Sequence, residues 1–311
     1  MVAVLCLALF ARAEPISDIP RGEKPEQLSG ISRISDDRYL CVEDVGGMLY
    51  EATVAFTNGG KAVSFSATRS LKLEGRRDLE GCAYDPLTGW AWAVDEDDAS
   101  VRAFDLGTGK QVALAPVPEV FRKAIYNSSL ESLTISSDGL KMYTANEDTL
   151  VCDGKPANRE QGGLVRIQEF TRPDGKSPWT ASRQFRYRTD PVGGDPYKGI
   201  AISGVADLCS VGNGELIVLE REMSQKNPFF PTFRGRLYSV STEGGGEELV
   251  KRRLWDANTV FANYEGVCLG PTLTDGRMTL LLISDGGHRA EKRMKVLALS
   301  PHKQEPTGRS L

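Results

Sequence analysis

"DLEGCAYDPLTGWAWAVDEDD", residues 78–98, holds two strand-like runs joined by a turn. The first opens on Glu80, followed by Gly81 and the apolar Cys82, Ala83 and Tyr84. The second, Trp90 to Val94, ends on Asp95 and Glu96. Between them "DPLTG" supplies the Asp, Pro and Gly that tight turns select. Asp and Glu are nearly always exposed, so a carboxylate at the head of an apolar run needs a reason. One occurrence could be chance; the arrangement recurs.

Aligned on this stretch, the chain contains five copies of one unit. They are "LSGISRISDDRYLCVEDVGGMLYEATV" from Leu28, "LEGCAYDPLTGWAWAVDEDDASVRAFDL" from Leu79 and "LESLTISSDGLKMYTANEDTL" from Leu130. "ISGVADLCSVGNGELIVLERE" follows from Ile202 and "YEGVCLGPTLTDGRMTLLLISDGG" from Tyr264. Each has an apolar residue, a Glu or Ser, a Gly or Ser and a short apolar strand. A polar turn comes next, then a second strand with an acidic end: Glu43-Asp44, Asp95-Glu96, Glu147, Glu220 or Asp285. A third and often a fourth strand follow, as in "SVRAFDL" and "QVALAPVP". Four strands per unit of about 50 residues, with almost no helical periodicity, predict an all-β propeller of four-stranded blades. A sandwich would instead favour apolar/polar alternation, which "GWAWAV" and "LLLI" lack.

Five blades is the direct count. The 72 residues separating Leu130 from Ile202, against 51 between the first starts, leave room for a sixth. The last copy has only three clear strands, so residues 14–27, or a strand from the 55–75 region, are expected to complete a blade and close the ring. The propeller is assigned to residues 28–300 and a polar tail to 301–311. At the other end, "MVAVLCLALFARAEP" has a short apolar run and an Ala11-Arg12-Ala13 pattern of the kind a signal peptidase cuts. Residues 1–13 therefore read as a signal peptide, with export to the periplasm or medium. The run is too short to span a membrane.

Charge and residue counts narrow the chemistry. A net charge of −4 and a pI near 5.5 argue against nucleic-acid and anionic-membrane surfaces. Only two histidines, His288 and His302, are present, which excludes a multi-histidine metal centre. There is no G-x-S-x-G elbow for a Ser-His-Asp hydrolase. Cys41, Cys82, Cys152, Cys209 and Cys268 remain after the expected cleavage, none in a C-x-x-C pair. They read as small core residues, with one disulfide left open. Oligomeric state is unreadable.

In a propeller the first strand of each blade lines the central channel, so Glu80, Glu131 and Glu265 should converge, with Ser29 and Ser203 in the equivalent places. Gathered carboxylates must be protonated or share a cation. Oxygen-only ligands suit a hard ion, most simply Ca²⁺ held by Glu80, Glu131 and Glu265. Arg221 is the expected counter-ion in the channel. Strand-end acids such as Glu43, Asp97 and Asp98 read more simply as solvated hairpin ends.

"LSGIS", "DLEGCAYDP", "NSSLESLTISSDG", "ISGVADL…ELIVLERE" and "NYEGVCLGP…LLLISDGG" together resemble the phytase-like family, also described as the esterase-like activity of phytase domain. The resemblance covers about Leu28 to Ser300. It departs from the family pattern at Asp285-Gly286-Gly287, where Asp-Asn is usual, and at Glu131-Ser132, where Glu-Gly is usual. It implies an exported propeller and, by match, the site residues Glu80, Glu131, Asp207, Glu220, Arg221, Glu265 and Asp285. Three functions follow: a Ca²⁺-dependent phosphoesterase or esterase acting on a small anionic ligand, a non-catalytic ligand- or protein-binding propeller, and a carbohydrate-active propeller with paired carboxylates. A phytate site also needs clustered Lys and Arg. The basic runs at Arg76-Arg77, Arg186 to Arg188 and Lys251 to Arg253 lie outside the channel motifs. Trp179, Tyr187, Tyr197, Phe229 and Phe230 are the aromatics a sugar could stack on.

Overall fold

The computed structural model describes residues 10–22, 24–75, 78–124, 128–194, 201–225, 231–244, 246–287 and 290–301. Five four-stranded antiparallel sheets are arranged as a propeller. The first blade is β2 (Leu28–Arg33), β3 (Arg38–Glu43), β4 (Met48–Phe56) and β5 (Ala62–Lys72). The second is β6 (Leu79–Tyr84), β7 (Ala91–Asp95), β8 (Ser100–Phe104) and β9 (Gln111–Leu114). The third is β10 (Leu130–Ile135), β11 (Lys141–Asn146), β12 (Leu164–Thr171) and β13 (Thr180–Arg188). The fourth is β14 (Ala201–Gly212), β15 (Glu215–Gln225), β16 (Pro231–Ser241) and β17 (Arg252–Val260). The fifth joins β18 (Asn263–Leu269), β19 (Thr279–Asp285) and β20 (Arg293–Pro301) to the amino-terminal β1 (Phe10–Pro20).

That last pairing closes the ring. Strand β1 runs antiparallel to β20, from Phe10 opposite Pro301 to Pro20 opposite Arg293. The expected closing strand is thus the amino-terminal segment, and the 55–75 region instead supplies β5 of its own blade. The strand starts upstream of Glu14, so Phe10 and Ala13, inside the stretch read as a signal peptide, are buried in the core between the fourth and fifth blades. There is no sixth blade among the described residues. The long third spacing is taken up largely by the 17 residues between β11 and β12 and by the longer strands β12 and β13.

The turns form where the sequence places them. Asn213 in "GNG" has φ +51° and Gly276 in "TDG" has φ +84°, left-handed values that Asn and Gly adopt at little cost. The Asp85 carboxylate accepts from the Leu87 backbone N–H and the Thr88 hydroxyl, fixing "DPLTG".

The apolar residues divide into five clusters, each joining neighbouring blades. Leu79, Cys82 and Ala93 pack on Leu40 and Val42; Trp92 and Val94 pack on Leu133, Met142 and Phe170. Central strands are covered on both faces, as in β19, where all of Thr279–Asp285 is buried. This burial is why the second strands do not alternate. Cys41, Cys82, Cys209 and Cys268 are buried and Cys152 exposed, all as free thiols.

The Gly in each repeat is required by the approach of neighbouring blades. A Cβ at Gly81 would lie 2.6 Å from the Leu133 nitrogen, and one at Gly30 would lie 2.7 Å from the Glu80 carbonyl oxygen. In the third copy Ser132 takes this place, fully buried, with its hydroxyl accepting from the Ala145 N–H.

Candidate functional site

The acid in the repeat coincides with an irregularity in strand pairing. Pairing of β10 with β11 slips between Leu130 and Ser132, and that of β18 with β19 slips between Tyr264 and Gly266. In the second blade the slip lies between Leu79 and Cys82. Glu131, Glu265 and Glu80 are the skipped residues. A β-bulge re-aims the extra side chain, and here it turns each glutamate towards the axis. In the fourth blade the slip falls later, between Val205 and Asp207. Ser203 stays in register there, opposite Glu222.

A second set of acids comes from the ends of the second strands. Successive residues of an extended chain face opposite ways, so one member of each acidic pair meets the axis and the other does not. Asp44, Glu96, Glu147 and Asp285 line the same chamber as Glu80, Glu131 and Glu265. Their neighbours are used elsewhere. Glu43 accepts from the Tyr50 hydroxyl, and Asp95 pairs with Arg102 at 2.9 Å.

The same alternation separates Glu220 from Arg221. Arg221 faces the chamber, and Glu220 turns into the seam between the third and fourth blades. There it accepts from the Tyr187 hydroxyl at 2.6 Å and the Lys251 ammonium at 2.6 Å. Asp207 is also outside the chamber. Its carboxylate accepts from the backbone N–H groups of Leu208 and of Val267 in the next blade, both at 2.8 Å. Two of the seven residues suggested by the motifs are therefore structural links, and the other five meet in one cavity.

That cavity has a volume of about 550 Å³. Its described lining contributes seven carboxylates, one guanidinium (Arg221), the amides of Gln27, Gln225 and Asn263, and an apolar patch of Met223, Pro231 and Phe233. Arg221 is shared. Its guanidinium lies 2.6 Å from Glu265 and also pairs with Glu147. Burial disfavours the arginine's charge, but Glu147, Glu265 and Glu131 outweigh this and hold its pKa above the ordinary value.

One cation cannot neutralise seven acids. Burial, then the fields of Glu265, Asp44, Glu96 and Asp78, pushes Glu80 well above the usual carboxylate range. Glu131 is raised in the same way by burial, Glu80 and Glu147, against the pull of Arg221. Burial, with neighbouring acids adding to it, lifts Asp44 to about 7 and Glu96 to about 7. Burial lifts Glu265 to about 8 even with Arg221 beside it.

Two groups of oxygens are close enough to share a cation. Asp44, Asp78 and Glu80 each offer a carboxylate oxygen, all mutually within 4.8 Å; Glu80, Glu96 and Glu131 do the same. Glu80 belongs to both. Oxygens around a Ca²⁺ ion lie 2.3–2.6 Å from it, so 4.8 Å separations fit one coordination sphere. The Asn263 Oδ1, buried on the chamber wall, has no hydrogen-bond partner, while its amide donates to Glu265 at 2.7 Å. The donor set is all oxygen, as a hard cation requires. Glu265 belongs to neither group, being held by Arg221 and Asn263.

Asp44, Asp78, Glu96, Glu147 and Asn263 were not singled out as site residues by sequence. The signal was present for three of them, because Asp44, Glu96 and Glu147 recur at the second-strand ends, but choosing the inward member of a pair needed the register. Two of the basic runs lie away from the chamber lining. Arg186 and Arg188 lie on the outer strand β13 and Arg252 and Arg253 on β17, while Arg76 and Arg77 fall outside the described residues. Of the aromatics a sugar could use, Trp179 and Tyr187 are buried in inter-blade cores. Tyr197, Phe229 and Phe230, like both histidines, fall outside the described residues. Among the described residues no helix is long and apolar enough to cross a membrane.

Residues 25–287 match the family model described as "Phytase-like: Esterase-like activity of phytase". A comparison with curated proteins found no match. Among solved structures, the chain is similar to a glutaminyl cyclase of Myxococcus xanthus at 10% identity and TM-score 0.47, covering 96% of this chain and 100% of that one. It is similar to hydrazine synthase of Kuenenia stuttgartiensis at 12% identity and TM-score 0.41, covering 85% of this chain and 57% of the other. A virginiamycin B lyase of Staphylococcus aureus gives 10% identity and TM-score 0.37, with coverage of 90% and 69%. The chain thus spans little more than half of the hydrazine synthase chain. Such distant likenesses carry no functional information.

Proposed function

The chain belongs to the phytase-like family, and on that premise we propose that it is an exported propeller whose axial chamber binds Ca²⁺ and hydrolyses a small anionic ester. The observation that carries this reading is the sharing of Glu80 between two oxygen triads in a chamber with one arginine. Asp44, Asp78, Glu80, Glu96 and Glu131 would hold the metal, with the unpartnered Asn263 carbonyl oxygen at the same wall. Bound there, Ca²⁺ would offset substrate charge and lower the pKa of a water. Ca²⁺ modules of extracellular proteins bind at about 10⁻⁴–10⁻³ M, the affinity range expected of the exported protein.

The protein's own groups supply the rest. No chamber-lining residue among those described is Ser, Thr, Cys, His or Lys, so the attacking group would be a water or one of the chamber carboxylates. Glu265, which belongs to neither triad and titrates at about 8, is the chamber carboxyl that would accept a proton from water and return it to the leaving group. Arg221, fixed by Glu147 and Glu265, would orient the substrate's oxygens from the opposite side. The same lining argues against phytate, whose several phosphates would need more than one guanidinium.

The test is hydrolysis of p-nitrophenyl phosphate and p-nitrophenyl acetate with and without Ca²⁺, in the wild-type protein and in Glu80→Gln. The reading expects turnover of at least one ester that EDTA abolishes and Glu80→Gln reduces by 10²-fold or more. Turnover unaffected by both would refute it. A non-catalytic binding propeller is the second reading, in which the same oxygen triads hold Ca²⁺ without turning over a substrate. It expects Ca²⁺ to stabilise the protein with no turnover of either ester.

A further inference from the structure

The fourth blade departs from the other four in length. Strands β14 and β15 have 12 and 11 residues, whereas the first two strands of every other blade have 5 to 7; the third strand, β16, has 11 against 5 to 9. At about 3.3 Å per residue, the four to six extra residues of β15 carry it roughly 13–20 Å beyond the ends of its counterparts, with β16 paired alongside to Gln225. The extension reaches the chamber. Arg221, Met223 and Gln225 alternate onto one face of β15; Met223 stands opposite Phe233 of β16, and Gln225 opposite Pro231. All five line the cavity.

Phe233 is 5% exposed. Neither it nor Met223 nor Pro231 belongs to any of the five inter-blade cores. These three side chains form an apolar patch on the chamber lining, with Arg221 two residues before Met223 on the same strand.

On the reading that the chamber binds the anionic head of an ester, we infer that its substrates are phosphate monoesters carrying one apolar substituent, aromatic or branched alkyl, seated against Met223, Pro231 and Phe233. An inositol polyphosphate would press further phosphates against that patch, where the described apolar side chains Met223, Pro231 and Phe233 offer them no hydrogen bond. A cavity of about 550 Å³ has room for a phosphate and a ring of that size, within the usual range for small-molecule sites.

The experiment is calorimetric titration of the Ca²⁺-saturated protein with methylphosphonate and phenylphosphonate, non-hydrolysable ligands that share a head and differ in the apolar group. The wild type is expected to bind phenylphosphonate on the order of tenfold more tightly, from the apolar area a ring removes from water. Phe233→Ala and Met223→Ala should each bring the ratio to within about threefold. A retained Ca²⁺-induced rise in melting temperature would show that the variants are folded. Equal binding of both ligands by the wild type would overturn the inference while leaving the anion site standing. A preference that survives in both variants would also overturn it. If neither ligand binds the Ca²⁺-loaded protein, the anion site itself fails, and the inference fails with it.

Discussion

Replacing Arg221 with methionine should destabilise the metal-free protein strongly at alkaline pH and little at acidic pH. Arg221 is 18% exposed, and its partners Glu147 and Glu265 are 8% and 11% exposed. Removing one member of a buried ion pair costs about 3–5 kcal/mol, because the remaining charge is left uncompensated. Two carboxylates are left here, but both face a chamber large enough for water, so the lower figure of about 3 kcal/mol applies. At roughly 2–4 °C per kcal/mol for a chain of this size, the melting temperature should fall by roughly 6–12 °C.

The pH dependence follows from Glu265. Its carboxyl titrates at about 8 with Arg221 present, and loss of the arginine moves it higher. A carboxyl whose folded pKa exceeds its unfolded one binds more protons when folded, so its stability is retained at low pH and lost as pH rises through the folded value. The deficit that Glu265 contributes should therefore be small near pH 5, open as pH rises through 8 and be larger at pH 9 than at pH 7. Arg221→Lys keeps the charge but cannot reach both carboxylates with a planar fork, so it should recover about half. Thermal melting in EDTA at pH 5, 7 and 9 reads all of this. An unchanged melting temperature, or a deficit independent of pH, would refute the role assigned to Arg221.

Other outcomes are equally specific. In EDTA the wild-type protein should lose stability from pH 5 to pH 8. Lifting Glu96 from 4.5 to about 7 and Glu265 from 4.5 to about 8 costs the ionised fold up to about 3 and about 5 kcal/mol, at about 1.4 kcal/mol per pH unit; Ca²⁺ should flatten the profile. Asp207→Asn should cost about 2 kcal/mol in urea unfolding, because an amide NH₂ would face a backbone N–H where both carboxylate oxygens now accept. Deleting residues 1–20 removes the whole of β1 and exposes the edge of β20, so the truncated protein should aggregate on expression. A monomeric truncation with an unchanged melting curve would contradict the ring closure.

The repeat was legible because it obeys local rules. Turn chemistry in "DPLTG", "GNG" and "TDG" and the uninterrupted apolar runs of the second strands both reflect forces acting within one blade. The convergence of Glu80, Glu131 and Glu265 follows once the blades form a ring. What the sequence could not reveal depends on register. Glu220 and Arg221 are adjacent and both charged, yet only pairing across β14 and β16 decides which meets the axis. Asp207 follows an apolar strand start much as the chamber acids do, but its bulge is displaced and its carboxylate ties the fourth blade to the fifth. Trp179 and Tyr187 read as available surface aromatics; they are buried because neighbouring blades cover β13 and the turn before it.

The central claim is that carboxylates from separate blades form a single Ca²⁺ site through Glu80. Calcium titration at pH 7, followed by thermal melting and by calorimetry in buffers of different ionisation enthalpy, tests it most directly. The wild type should gain about 2.7 kcal/mol at a free Ca²⁺ concentration one hundred times Kd, and should release protons on binding because Asp44 and Glu96 titrate at about 7. Glu80→Gln should lose most of that gain while melting no lower than the wild type in EDTA. A wild-type protein that melts at the same temperature in EDTA and in 10 mM Ca²⁺, with no proton release, would contradict the claim.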